Sequence, residues 1–123
     1  VPVSRIPELV AGVQALSARF ELPIVTFGHA GNGNLHVNIL YHPDDAGQNA
    51  RAHAALPEVF ALALALGGTL SGEHGIGLAK RAFMAQAFTP ATLAAMRAIK
   101  RALDPDAILN PGKVLPDTDA AHR

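Results

Sequence analysis

Cysteine and tryptophan are absent from this chain of 123 residues, and there is a single tyrosine. Without cysteine there can be no disulfide framework, no thiol nucleophile and no thiolate metal ligand. That fits a reducing, cytoplasmic setting. So few large aromatics leave no platform on which nucleic-acid bases could stack. Charge of either sign is also in short supply: ten Lys plus Arg balance ten Asp plus Glu, so no broad cationic field attracts nucleic acid or an anionic membrane. The longest apolar run, 59–66, is far too short to cross a bilayer. Any membrane association is therefore expected to be peripheral, through the full-length enzyme or its partners. The opening Val1-Pro2-Val3-Ser4 shows neither an initiator methionine nor a basic leader before an apolar stretch. The expectation is a chain processed or cut from something longer.

What remains is an alanine-rich chain, half hydrophobic, of a length that supports one domain with its own core. Val1 to Val3 read as the stub of a strand. Ser4 is placed to cap a helix whose first turn tolerates Pro7. Ile6, Leu9, Val10, Val13, Leu16 and Phe20 recur at helical spacing, and Pro23 closes the element. A strand is expected over 24–27 and a returning strand over 35–41. In the second, Val37 and Ile39 share one face and His36 and Asn38 the other. Glycines and asparagines between them favour a hairpin. A helical region follows within 48–66, where Pro57 forces either a start near Leu56 or a kink, and Gly67-Gly68 ends it. A short strand at 69–71, helix over 76–87, and a last helix opened by Thr89-Pro90 complete the pattern. Leu93, Met96, Ile99, Lys100 and Leu103 form the stripe of that last helix. The alternation predicts an α+β fold: a small, largely antiparallel sheet covered by helices. Residues 117–123 read as a loose polar tail.

Two loops carry the chemistry. The first is Gly28-His29-Ala30-Gly31-Asn32-Gly33-Asn34-Leu35-His36; the second is Gly72-Glu73-His74-Gly75-Ile76-Gly77. A hairpin would bring His29 and His36 to one ion, and Glu73 would add an anionic ligand from the other loop. Two imidazoles and a carboxylate form an open set that suits zinc or manganese equally. His74 cannot easily share an ion with its neighbour Glu73, and is better placed as a general base. The bland alternatives are ordinary polar turns, with His74 bonding across its loop and Asn38 capping an exposed strand. The glycine spacings match neither a dinucleotide-binding loop nor a phosphate loop. Ser71 lacks the context of a nucleophile elbow. His42, His53 and His122 read as surface groups.

Three segments, 28–39, 67–80 and 103–116, resemble the C-terminal domain of FAD-linked oxidases. The last reads Leu-Asp-Pro-Asp-Ala-Ile-Leu-Asn-Pro-Gly-Lys-Val-Leu-Pro. The nearest branch holds D-lactate dehydrogenases, the glycolate oxidase flavin subunit and D-2-hydroxyglutarate dehydrogenase. The likeness extends over 1–116. It implies a ferredoxin-like substrate (cap) domain, truncated on its N-terminal side, with the FAD held mainly by a separate, missing domain. It implies that His29, His36 and Glu73 hold a divalent metal, Zn or Mn, which grips a D-2-hydroxy acid. His74 would take the hydroxyl proton while hydride passes to the flavin, and Asn38 would orient the substrate carboxylate. Asn110 would be a cofactor contact, as would Gly75 and Glu73 on the second loop. The family usually has Asp where this chain has Asn32, a change that bears on tuning of the loop. A homodimer stays open, and the electron acceptor is not specified. Two rivals stay open as well: a small metal-dependent hydrolase built on the same three ligands, and a noncatalytic domain that binds a partner protein.

Overall fold

The computed structural model describes residues 1–117, and the expected loose tail lies outside them except for Asp117. The chain divides into two units, Val1–Glu73 and His74–Arg123.

In the first unit α1 (Ile6–Phe20) turns Leu9, Val13 and Leu16 inward, one flank of the predicted stripe. Ser4 does not cap it. Val3–Arg5 forms a turn of 3-10 helix instead, so the expected strand stub is absent and Arg5 occupies the cap position. The helix ends where Glu21 adopts a left-handed conformation (φ 52°), and the Leu22 amide returns to the Ser17 carbonyl at 3.2 Å. Strand β1 (Ile24–His29) and strand β2 (Asn34–Ile39) then form the predicted antiparallel hairpin. Each strand reaches one or two residues further towards the turn than the hydrophobic pattern indicated. Among the described residues the sheet has these two strands only.

Register decides which face is which. Ile24 pairs with Ile39, Thr26 with Val37 and Gly28 with Leu35. Ile24, Leu35 and Val37 of that face pack, with Leu62 and Val1, on a buried cluster of Leu9, Val13 and Leu66. The opposite face pairs Val25 with Asn38, Phe27 with His36 and His29 with Asn34. The core thus lies on one side of the hairpin, leaving every candidate side chain of the strands on the other.

Helix α2 (Ala46–Ala65) begins at Asp45, whose carboxylate accepts the Gln48 amide at 2.9 Å and is held below its ordinary pKa mainly by that bond. Pro57 sits inside it without ending it. The proline removes one backbone bond, the one to the carbonyl four residues earlier, and the helix is otherwise continuous. Gly67 (φ 75°) closes it, with the Gly68 amide reaching back to Ala63 at 2.8 Å. No strand forms at 69–71, where the Thr69 hydroxyl bonds locally to the Ser71 carbonyl.

In the second unit the expected helix over 76–87 shrinks to a 3-10 turn, Arg81–Phe83, and the short α3 (Met84–Ala87). Gly75 (φ 75°) and Gly77 (φ 53°) hold left-handed conformations that an α-helix cannot contain. Helix α4 (Pro90–Leu103) starts as predicted, with the Thr89 hydroxyl accepting the Thr92 amide at 3.2 Å. Its apolar stripe is covered at one end only: Leu93 is buried, whereas Ile99 and Leu103 are 62% and 79% exposed.

The loop after α4 is organised by Asp104, the one buried charged residue among those described. Its carboxylate accepts the Ile108 and Leu109 amides at 3.1 Å each and pairs with Lys100, whose ammonium also reaches the Leu109 carbonyl at 2.7 Å. The Lys100 contact, aided by the two amides, holds the Asp104 carboxyl below its usual range. Arg81 donates to the Gly112 carbonyl at 2.8 Å and pairs with Asp117 at 2.9 Å. Among the described residues no helix is long and apolar enough to cross a membrane.

Candidate metal centre

The first unit supplies all three predicted ligands. His29 is the last residue of β1, His36 the third of β2, and Glu73 ends the segment that follows Gly67-Gly68. His36 Nε2 lies 3.2 Å from Glu73 Oε1 and His29 Nε2 lies 3.8 Å from the same oxygen. One ligand atom from each residue falls within 4.8 Å of the others. Bonds to zinc near 2.0–2.2 Å at tetrahedral angles place ligand atoms roughly 3.3 Å apart. The His36–Glu73 distance already matches that spacing; His29 needs to close by about half an ångström on Glu73, and on His36 as well within the 4.8 Å that bounds the set. The residues therefore fit a divalent ion.

Local structure explains the convergence. A strand projects alternate side chains to one face, so His36 and Asn34 emerge together, and pairing sets His29 opposite Asn34. Between them Ala30–Asn32 makes a 3-10 turn that Gly33 closes at φ 76°. A β-carbon on Gly33 would stand 1.9 Å from the Val1 carbonyl oxygen, so this position admits glycine alone. The Asn32 carboxamide oxygen accepts the Asn34 amide at 3.1 Å, an acceptor role that a carboxylate in this place would also fill.

The Glu73 loop is seated by a close approach. A β-carbon on Gly72 would lie 2.0 Å from Asn34 Oδ1, so the Asn34 carboxamide occupies the space that a side chain at Gly72 would need. Hairpin and loop are thus pressed together one residue before the carboxylate ligand. The two imidazoles differ in exposure: the His29 side chain is 62% accessible and that of His36 20%. Their ring centroids are 6.0 Å apart, edge to face. Phe27 lies against His36, with centroids 5.0 Å apart and planes tilted by 34°.

Asn38 is exposed on the same hairpin face, one side-chain repeat beyond His36 and opposite Val25. His74 is exposed and opens the second unit, directly after Glu73 in the chain. Gly75 is open, with no atom within 4 Å of where its β-carbon would sit. Asn110 is exposed and left-handed (φ 44°) in the loop after α4, where Ala107 (φ 52°), Gly112 (φ 70°) and Val114 (φ 65°) share that conformation. Lys80, partly buried in the second unit, has its ammonium pKa lowered by desolvation. His42 and His53 are exposed, as expected of surface groups; His122 lies outside the described residues.

Three residues at the centre were not singled out by their sequence pattern: Phe27, Asn34 and Gly72. Alternation from His29 and His36 puts Phe27 and Asn34 on the ligand face, which is a usable signal. The contact of Gly72 with Asn34 has no local signature.

Comparison with known proteins gives a consistent picture. The family profile described as FAD linked oxidases, C-terminal domain, matches residues 1–114. The glycolate oxidase subunit GlcD of Bacillus subtilis (strain 168) is 40% identical over 114 residues, covering 93% of this chain and 24% of that protein. A probable mitochondrial D-lactate dehydrogenase of Danio rerio is 40% identical over 117 residues, covering 94% and 23%. The D-2-hydroxyglutarate dehydrogenase of Xanthomonas citri pv. viticola is 42% identical over 126 residues, covering 98% and 26%. The chain spans about a quarter of the length of these relatives.

Proposed function

The chain belongs to the family of FAD linked oxidases, C-terminal domain, and from that premise we propose that it forms the substrate side of an FAD-dependent oxidoreductase. The reaction is oxidation of a D-2-hydroxy acid to the 2-oxo acid. The acids in the names of the three relatives, glycolate, lactate and 2-hydroxyglutarate, all carry a hydroxyl next to a carboxylate. The observation that carries the reading is the convergence of His29, His36 and Glu73 within 4.8 Å. A bare metal hydrolase would use the same ligands, but membership of this family favours the flavin reading.

When bound, FAD supplies a two-electron acceptor, and zinc or manganese supplies a Lewis acid that makes a hydroxyl easier to deprotonate. The chain's own residues do the rest. His29, His36 and Glu73 hold the ion at an open site and thereby fix where the hydroxyl and carboxylate of the acid can sit. His74 receives the hydroxyl proton on a ring nitrogen while the α-hydrogen leaves with two electrons. Asn38 donates its amide to the substrate carboxylate. Asn110 and Gly75, both left-handed and exposed, offer backbone to the flavin side. The FAD itself is held mainly by chain beyond this segment; the proposed enzyme is cytoplasmic, with any membrane association peripheral and through the full-length protein or its partners.

The test uses the full-length, FAD-loaded protein. D-2-hydroxy acids should bleach the flavin, and metal analysis should find one divalent ion per chain. Glu73→Gln should lose the ion and the bleaching together, whereas His74→Ala should keep the ion and lose the bleaching. A Glu73→Gln protein that retains full metal content and full turnover would refute the assignment.

A further inference from the structure

We propose that Phe27 is a positioning residue for the metal set: its ring holds the His36 imidazole so that Nε2 points at Glu73. The inference rests on the divalent-ion reading of this site. It begins with the register, which sets Phe27 directly across the hairpin from His36, on the face that carries His29 and Asn38. The two ring centroids are 5.0 Å apart with planes tilted by 34°, inside the range where flat rings attract each other.

The core does not account for Phe27. Leu9, Val13 and Leu66 lie behind the other face of the hairpin, and Phe27 remains 54% exposed. A singly exposed apolar ring is ordinary on a protein surface, so what marks Phe27 is its contact with the His36 ring rather than its exposure. It touches the better covered of the two histidine ligands, with 20% side-chain exposure against 62% for His29.

An imidazole turns about two soft torsions, and the second is broad, so an unsupported ring samples many directions for Nε2. A phenyl ring laid against it restricts that freedom without competing for either nitrogen. The site then divides into a preordered half and an adaptive half. His36 and Glu73 stand at ligand-to-ligand spacing, 3.2 Å, and His29, at 3.8 Å and largely exposed, swings in to complete the set. Partners that orient a ligating histidine by hydrogen bonding change metal affinity by about tenfold or more when removed, and a packed ring that fixes the same torsion is expected to act at the low end of that range.

The experiment measures metal binding directly in the full-length holoenzyme, stripped of metal. Zinc affinity is read by competition with a chromophoric chelator, and coordination geometry by the visible bands of the cobalt(II) form. Phe27→Ala is expected to weaken zinc binding on the order of tenfold and to shift the cobalt bands, while Phe27→Tyr, which keeps the ring, restores both. Phe27→Leu keeps bulk without a flat face and decides the matter if the alanine variant does not fold; it too is expected to bind weakly. A fold-supporting role alone would lower the melting temperature and leave the cobalt spectrum unchanged, so wild-type affinity and spectrum in the alanine or leucine variant overturn the proposal. Glu73→Gln separates the two claims. If it loses metal while the Phe27 variants keep it, only the role of Phe27 fails; if it also binds normally, the ion site itself fails.

Discussion

Gly12 sits in the middle of α1, where glycine is normally a defect, and replacing it with alanine sets two opposing effects against each other. An alanine inside a helix is worth about 1 kcal/mol over glycine. Here, however, the new β-carbon would stand 2.6 Å from Leu62 Cδ2 and 2.9 Å from Leu62 Cδ1, on the helix packed alongside. Carbon atoms rest at about 3.5–4.0 Å, so Leu62 must turn or the helices must part. Overpacking of this kind costs about 1–3 kcal/mol. The sum predicts a net loss for Gly12→Ala of up to about 2 kcal/mol, or roughly 4 °C of melting temperature per kcal/mol at this length. The decisive measurement is the sign in a second background. Leu62→Ala opens the space and costs stability by itself, but in that background Gly12→Ala should stabilise by about 1 kcal/mol. Urea unfolding of the four proteins completes the cycle. If Gly12→Ala stabilises the wild-type background too, close helix approach is not why glycine is there. The packing matters to the site because Leu62 lies on the cluster that backs Leu35 and Val37, the core side of the strand that bears His36.

Gly72→Ala drives its β-carbon to 2.0 Å from Asn34 Oδ1, and the expected outcome is zinc binding weaker on the order of tenfold with the helices intact by circular dichroism; undiminished affinity would show that the Asn34 contact does not seat Glu73. For Asp104 the carboxyl is held below its ordinary value of 3.8, so its contribution is fully present above that pH and is lost as pH falls through the lower folded value. Asp104→Asn should therefore be less stable than wild type at neutral pH, with the gap in melting temperature narrowing as the pH falls below the ordinary carboxylate value and through the lower folded one; a gap constant with pH contradicts the linkage. The 123-residue chain on its own should give no hydroxy-acid-dependent dye reduction, because the flavin must reach the α-carbon; dye reduction without added partner would count against the proposed division of labour.

Elements with a local cause were legible. The stripe in α1, the Thr89-Pro90 start of α4 and the Gly67-Gly68 stop all follow from spacing and capping, and each appears in place. Segments whose conformation depends on neighbours depart from their local pattern. Val1–Val3 and 69–71 look like strands by composition, but neither joins the sheet: Val3 opens a 3-10 turn and Thr69 bonds locally to Ser71. The run 76–87 has helical periodicity, yet Gly75 and Gly77 take left-handed angles and delay the helix to α3. Pro57 alone predicts a boundary or a kink, whereas α2 runs through it from a cap at Asp45.

By itself the sequence determined which donors this protein can offer: with no thiolate in the chain, imidazole and carboxylate remain, and the glycine-rich turn between alternating strands puts His36 on the face away from the core. Tertiary structure alone decided that Glu73, 37 positions beyond His36 in the chain, lies 3.2 Å from its ring, that Phe27 backs the same imidazole and that Asn34 fills the gap left by Gly72. The reason is one of range. Side-chain direction along a strand is set by neighbouring peptide geometry, whereas the meeting of loop and hairpin depends on register, on the packing of α1 and α2 behind the sheet, and on a missing β-carbon, none of which leaves a local periodicity.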